Sequence, residues 1–503
     1  MSLKDNNKKL SAAIIGTGFS GICAAIKLKK ELDIDAQLFE LSKDVGGTWY
    51  SNTYPGAECD IPSHLYSLSF ELNDSNGQAE IHEYLRNVAK KHNLYEKTKF
   101  QTEIIHAEWK EKEQKWFLKW RNTNNHQETN SAYYDVLFSG LGPLRIPNIP
   151  KEFSKFQGPI VHTAQWDATI DYTNKRIAII GSGATAVQVI PQIRKIASHV
   201  YSYQRTRAWT VLRDQFSYPR IIKFIFRWLP FLMRFYRIFL FLQHEVYYVA
   251  FGYYKSLIAR SFQKLMEKVL AWRLKRVGRS DLLSTLTPDY PIGCKRVAKS
   301  EIYVEALAKP NVTVIPCGVS DIKGRTLIDK EGNETEVDIL ILATGFDTQG
   351  FTGNLDIYGR NKTLLDEKWR KEFPKTYKTV TVHGYPNFFS LLAASSALGH
   401  NTVVAQAEIQ VDYSIQCLKH MIKNNLGALE PKASAQERFS KELQKSFNGT
   451  VWKGGCNSWY LNDAGEVYGL WSGTIISFYW ALRKPDFRDF IEYKKTDGIN
   501  LSM

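Results

Sequence analysis

The feature that most restricts how this chain can fold is a local pattern that occurs twice: a short apolar run, a glycine-rich turn and a helical stretch. The first copy runs from residues 12–15 through Gly16-Thr17-Gly18-Phe19-Ser20-Gly21 into 22–32, and the next apolar run, 36–39, ends at Glu40. The second copy runs from 177–180 through Gly181-Ser182-Gly183-Ala184-Thr185-Ala186 into 187–196, and its following run, 200–203, leads to Arg205. Each reads as strand, turn and helix of a parallel sheet. A later apolar run, 339–342, ends in Ala343-Thr344-Gly345-Phe346, as suits a buried parallel strand whose end meets a cofactor. The expected fold class is therefore α/β, with two Rossmann-like dinucleotide-binding domains. At 503 residues the chain exceeds the roughly 250–300 at which one core stops growing. The expected division is 1–146, the first part of one nucleotide domain; 147–344, the second domain, carrying a helical insert at about 207–290; and 345–503, a return to the first domain with a C-terminal region. Residues 142–150 and 289–293, rich in Pro and Gly, suit crossings between these modules.

In such a turn the first glycine allows a tight bend, the second lets a pyrophosphate approach the backbone, and the third lets helix and strand pack closely. An acidic residue about 20 positions on accepts hydrogen bonds from the ribose hydroxyls. Glu40 stands at that place after Gly16, Gly18 and Gly21, so the first loop is expected to hold an unphosphorylated adenosine ribose, as in FAD or NAD. After Gly181, Gly183, Ala184 and Thr185 the corresponding place holds Arg205, whose guanidinium pairs with a 2′-phosphate that a carboxylate would repel. That loop is expected to take NADPH. Two dinucleotides on one chain imply hydride transfer between them, and NADPH with a flavin is the pairing that does more than transhydrogenation. Reductases, disulfide oxidoreductases and oxygenases share this layout; the absence of C-x-x-C removes the disulfide branch.

The six cysteines, Cys23, Cys59, Cys294, Cys317, Cys417 and Cys456, show no metal-type spacing, so no metal site is expected, and reduced thiols in a cytoplasmic protein are the default. The apolar run that follows the N-terminal lysines passes straight into Gly16, Gly18 and Gly21, so a strand and turn are expected there rather than a signal peptide. The net charge of +15 is concentrated: residues 205–279 hold 16 basic side chains against Asp214, Glu245 and Glu267, which leaves 16 − 3 = +13. Within them Arg220, Lys223, Arg227 and Arg234 recur at helical spacing among Phe224, Phe226, Trp228, Phe231, Phe235 and Phe239, one basic stripe on an aromatic helix that Pro230 should kink or break. Two readings stand side by side. In one the insert packs its aromatics on the body with snorkelling arginines outside; in the other it makes peripheral contact with an anionic membrane surface. Its longest uncharged stretch, 246–254, is well short of the ~20 residues of a membrane span. No nucleic-acid recognition fold accompanies the charge, so nucleic acid is not an expected partner.

Between the two glycine loops lies Phe156-Gln157-Gly158-Pro159-Ile160-Val161-His162-Thr163-Ala164-Gln165-Trp166-Asp167, which fits F-x-G-x-x-x-H-x-x-x-W-[P/D] at every specified position, and Gly46-Gly47-Thr48-Trp49 with Tyr54-Pro55-Gly56 leads to Asp60. In these motifs the chain resembles the Baeyer–Villiger monooxygenases, class B flavin monooxygenases. The resemblance implies FAD and NADPH as cofactors and conversion of a ketone with O₂ to an ester or lactone through a flavin C4a-peroxide. It implies Asp60 and Arg296 as catalytic residues, Gly47, Thr48 and Trp49 at the flavin, Lys295 assisting Arg205 at the 2′-phosphate, and Trp459 at the nicotinamide ribose. It gives His162 the part of a hinge between domains. A guanidinium suits such a site because it stabilises an anionic oxidant and does not readily protonate it. Residues 393–401, Ala-Ala-Ser-Ser-Ala-Leu-Gly-His-Asn, depart from the glycine-rich form many relatives carry, which bears on substrate preference. Oxidation of amines or sulfides and NADPH oxidase activity remain alternatives. So does a non-enzymatic role as a redox sensor or membrane-surface scaffold. The particular ketone and the oligomeric state are open.

Overall fold

Residues 12–15, Ala-Ala-Ile-Ile, are all buried, and a strand apolar on both faces needs cover on both sides. In the computed structural model it lies at the centre of a five-stranded parallel sheet in the order Phe388–Ser390, Val136–Ser139, Ala12–Ile15, Gln37–Phe39, Thr98–Lys99. The structure describes residues 9–73, 77–213, 219–348, 350–353, 355–455 and 458–496. A second parallel sheet has the order Val312–Ile315, His199–Tyr203, Arg176–Ile180, Ile339–Leu342, Ile160–His162. The α/β class and both glycine-loop units are as expected. Helix α1 (Phe19–Leu32) follows the first loop and α2 (Ala184–Ile193) the second. Both helices begin directly after the loop's second glycine, three residues before the expected starts.

One layer is not announced by the sequence pattern. Thr102–Lys110, Lys115–Asn122 and Thr129–Tyr134 form an antiparallel sheet, with Asp356–Tyr358 added in parallel along its edge. It covers one face of the first parallel sheet, where the Phe39 and Trp120 rings meet at 5.0 Å. The two crossings between the parallel sheets run side by side: Asn148 N donates to Gly345 O at 2.9 Å and Asp347 N to Ile146 O at 2.9 Å.

The insert is three helices: α3 (Arg220–Trp228), α4 (Pro230–Phe251) and α5 (Leu257–Arg276). Pro230, with its fixed φ and no N–H, opens α4, and Leu229 at φ −123°, ψ 71° breaks the chain direction, so the single aromatic helix becomes two. The orientation also departs from the reading with aromatics on the body. Phe224, Trp228, Phe231, Phe235 and Phe239 are exposed. Arg237 instead points inward, its Nη1 donating to Ser67 Oγ at 2.7 Å and its Nη2 to Ser67 O at 2.9 Å. The side chains of Arg220, Lys223 and Arg227, and all of Asp214, lie outside the described residues. Among the described residues no helix is long and apolar enough to cross a membrane. Cys23, Cys59, Cys317 and Cys417 take part in no disulfide. Cys294 is disulfide-bonded, against the expectation of reduced thiols, a pairing that no C-x-x-C spacing announces; Cys456 lies outside the described residues.

Candidate active site

The first glycine loop is shaped by close approach. A Cβ on Gly21 would lie 2.0 Å from Gly16 O, so any side chain there would push α1 off its strand. Gly18 caps α1 with no side-chain hydrogen bond, which leaves the first backbone N–H groups of the helix directed outward, the arrangement that receives a phosphate. Gly47, at φ +53°, faces it: a Cβ on Gly47 would stand 3.0 Å from Gly18 Cα. The short helix Thr48–Ser51 starts there, and Trp49 Nε1 donates to Tyr66 OH at 3.1 Å. Glu40 is buried at the strand end beside the loop. Its Oε2 accepts from Thr17 N at 2.9 Å and Thr17 Oγ1 at 2.6 Å, and its Oε1 from Ser42 N at 2.8 Å. The carboxylate braces the loop, and a ribose hydroxyl would share an oxygen through a remaining lone pair.

Asp60 and Arg296, 236 residues apart, meet in a bidentate pair. Arg296 Nη2 lies 2.7 Å from both Asp60 oxygens and Nε 3.2 Å from Oδ2. Burial pushes the Asp60 pKa up, but the charge and hydrogen bonds of Arg296, joined by Lys299, bring it below the usual aspartate value. The Asp60 carboxylate raises the Arg296 pKa against the opposing effect of burial. Both groups therefore stay ionised. Arg296 Nη1 also donates to Leu398 O at 3.4 Å, which ties the guanidinium to the 393–401 loop.

The Asp60 loop is held by the second dinucleotide unit. Gly56, at φ +85°, passes so close to α2 that a Cβ would sit 2.5 Å from Gln188 O. Tyr54 OH donates to Gln188 Oε1 at 2.8 Å, and Gln188 Nε2 donates to Glu58 O at 2.8 Å. The Tyr-Pro-Gly stretch thus docks one unit on the helix of the other and aims Asp60 at the seam.

In the second loop Gly183 and Ala184 are exposed, Thr185 is half-buried, and α2 again starts without a side-chain cap. Arg205 is exposed at the end of the following strand, its stem beside Gly318. Burial, offset in part by Asp289 and reinforced by the charge of Arg205, lowers the Lys295 pKa. Two cations near enough to repel each other beside an open helix N-terminus favour a bound phosphate. Trp459 is 41% exposed, so it is no ordinary core aromatic. His162 is buried; its Nδ1 accepts from Ala164 N at 3.1 Å, and burial, opposed by a backbone hydrogen bond with Gly345, lowers its pKa. It joins the strand Ile160–His162 to the crossing after residue 342, away from the Asp60–Arg296 pair.

Three residues at the seam escaped the sequence reading. The carbonyl of Leu398 was unreadable because any residue type carries one. Tyr460 is buried beside Arg296, which holds its pKa down against a larger upward push from burial, leaving it at about 12. Glu245 accepts from Asn401 Nδ2 at 2.9 Å and from Ile475 N and Ile476 N at 3.2 and 3.1 Å. Its signal was present: it is one of three acids in the basic stretch 205–279.

A family profile described as flavin-binding monooxygenase-like matches residues 66–241, and one described as an NAD(P)-binding Rossmann-like domain matches 14–79. A protein of Pseudomonas aeruginosa named Baeyer-Villiger monooxygenase is 37% identical over 94% of this chain and 88% of its own length. The chain belongs to the Baeyer–Villiger monooxygenase family. A second Baeyer-Villiger monooxygenase, of Streptomyces coelicolor, is 32% identical over 96% of this chain and 93% of its own. The closed crystal structure of a cyclohexanone monooxygenase matches with a TM-score of 0.83 at 22% identity, covering 97% of this chain and 99% of that one, which establishes the shared fold. The residues at the two glycine loops fit two dinucleotides: helix N-termini without a side-chain cap, glycine backs where a pyrophosphate must approach, and two neighbouring cations at the second loop.

Proposed function

We propose that this chain oxidises ketones to esters or lactones with NADPH and O₂, and that Arg296, held by Asp60, is its central catalytic group. The ketone, O₂ and NADPH with one proton yield the ester, NADP⁺ and water. The observation that carries this reading is the bidentate Asp60–Arg296 pair at the seam between the two glycine-loop units. Bound FAD, reduced by NADPH, supplies the activated oxygen. Gly16, Gly18, Gly21 and Gly47 present backbone to its pyrophosphate, Glu40 its ribose contact, and Thr48 and Trp49 the wall beside Tyr66. Gly181, Gly183, Ala184 and Thr185 hold the second pyrophosphate, Arg205 and Lys295 the 2′-phosphate, and Trp459 the nicotinamide ribose.

Arg296 remains protonated because Asp60 stays ionised beside it, so it offers fixed positive charge and N–H donors without releasing a proton. The carboxylate and the Leu398 carbonyl restrict its rotamers, which gives the charge one position rather than several. His162 is neutral near pH 7 and supports the crossing between units. Peripheral contact of the insert with a membrane surface is a separate reading that does not depend on the ketone chemistry, and nucleic acid is not a proposed partner.

The test is product analysis with linear, cyclic and aromatic ketones and one thioether, using NADPH and NADH in parallel. Ester or lactone formed with strong preference for NADPH supports the reading. Sulfoxide and hydrogen peroxide alone would withdraw the roles of Asp60 and Arg296 and favour an electrophilic monooxygenase or an oxidase.

A further inference from the structure

Helix α4 has its apolar residues on the wrong side for a helix that only packs on a protein body. Phe231, Phe235, Ile238, Phe239, Leu242 and Val246 recur at intervals of three and four, so they share one face, and each is 49–66% exposed. The opposite face carries the packing: Leu240 and Tyr248 are buried, and the Tyr248 ring stands 5.2 Å from His400. Two neighbouring helices expose apolar residues as well. Trp228 at the end of α3 is 69% exposed. Helix α6 (Ile475–Leu482), whose first N–H groups are held by Glu245 of α4, exposes Ile476, Tyr479 and Trp480. A monomeric soluble protein rarely keeps an exposed aromatic stripe of this length without a use.

The charge decides between occupants. Arg234 lies within the apolar stripe, three residues from Phe231 and four from Ile238, and is exposed. Arg260, Lys264, Lys268 and Lys275 on α5 are exposed as well. Two exposed tryptophans carry an arginine over the ring, Trp272 with Arg276 at 4.9 Å and Trp480 with Arg483 at 4.8 Å, an amphipathic pairing that suits the boundary between acyl chains and headgroups. A second copy meeting this face about a two-fold axis would set exposed Arg234 in the stripe against its own symmetry mate. An anionic bilayer offers negative charge outside and an apolar interior beneath it, which matches both features.

We propose that the outward face of α4 docks this protein on the surface of membranes that contain anionic lipid, with its exposed phenylalanines entered to headgroup depth. The inward face of the same helix grips the 64–67 segment through Arg237 and, through Glu245, the Asn401 end of the 393–401 loop whose Leu398 carbonyl touches Arg296. If the ketone reading holds, docking places beside the lipid the helix that holds the Asn401 end of the loop touching Arg296, and favours lipophilic ketones dissolved there. The docking itself rests on the surface alone and is measured without turnover.

The experiment is co-sedimentation of the flavin-loaded full chain with vesicles of phosphatidylcholine and of phosphatidylcholine containing phosphatidylglycerol, at low and high NaCl. The expected result is partition to the anionic vesicles that falls by about tenfold or more between low and high salt, with weak binding to phosphatidylcholine alone. The double variant Phe235→Ser, Phe239→Ser removes two exposed rings that take no part in the proposed cofactor or catalytic sites; it should lose most of the partition while keeping the wild-type flavin spectrum and rate of flavin reduction. Protein remaining in the supernatant with both vesicles at low salt overturns the proposal. So does a concentration-dependent dimer, seen in analytical ultracentrifugation, that the double variant abolishes, because the face would then be an interface between copies.

Discussion

Replacing Asp60 by Asn keeps the shape of the side chain and removes its charge. In the wild type three contacts at 2.7, 2.7 and 3.2 Å hold the Arg296 guanidinium against a full carboxylate. Charge-assisted hydrogen bonds contribute about 1.5–3 kcal/mol each and neutral ones about 0.5–1.5 kcal/mol. The amide retains one acceptor and turns an N–H₂ toward another donor, so the loss of restraint on Arg296 is about 2–3 kcal/mol, or about 30- to 150-fold in a rate that depends on its position. The substitution removes the charge that holds Arg296 and leaves Arg205 and Lys295 unchanged, so hydride delivery from NADPH should slow far less. The assay is anaerobic stopped-flow reduction of the flavin beside aerobic product yield per NADPH consumed. Reduction within about threefold of wild type, with ester formation down about 30- to 150-fold and hydrogen peroxide taking its place, is the expected outcome. An Asp60→Asn enzyme that still forms ester at full coupling would refute the role assigned to the pair. Because the Asp60 pKa is depressed, its contribution is complete above the ordinary aspartate value of 3.8 and is lost only as pH falls through the lower folded value. Any acid limb in the activity profile between about pH 5 and 7 therefore comes from another group, and Asp60→Asn should leave that limb in place.

Arg205→Ala should raise KM for NADPH by about tenfold to a hundredfold and leave KM for NADH nearly unchanged, since only the 2′-phosphate loses a partner; equal changes for both cofactors would remove Arg205 from that contact. Gly56→Ala places a Cβ 2.5 Å from Gln188 O at a positive φ, and the strain, about 1–3 kcal/mol, should lower the thermal midpoint and displace the Asp60 loop, read as reduced coupling. His162 is buried and its pKa is depressed, so the folded state resists its protonation: stability present above the ordinary histidine value of 6.5 is lost as pH falls through the lower folded value. His162→Gln should flatten the decline of the thermal midpoint between about pH 6.5 and 5; an unchanged slope would assign that decline elsewhere.

The parallel strands and glycine loops were legible because each is a local event: a run apolar on both faces, a turn where a side chain will not fit, a helix of known period. The Asp60–Arg296 pair was legible only through the resemblance, since nothing in an isolated Asp and a Lys-Arg dipeptide distinguishes them from surface ions 236 residues apart. The antiparallel layer went unread for a different reason. Its strands alternate, but their charged and aromatic residues, as in Lys-Trp-Phe-Leu-Lys-Trp-Arg-Asn, also fit an exposed hairpin, and only the meeting of Phe39 with Trp120 reveals which face is covered.

The insert carries the same lesson further. Its composition was readable as basic and aromatic, and Pro230 marked the break, yet which residues face the body depends on partners hundreds of positions away. Arg237 turns inward because backbone carbonyls and hydroxyls at 64–67 wait for its donors, and Glu245 turns inward because the N–H groups of Ile475 and Ile476, which the Thr474 cap of α6 leaves to it, stand there. Once those two polar anchors fix the rotation of α4, the helical period leaves Phe231, Phe235 and Phe239 no place but the outside. A stretch that reads as an aromatic helix awaiting burial is thus held by its polar residues, and the apolar surface it exposes is a consequence of how it is anchored to the segments 64–67 and 393–401.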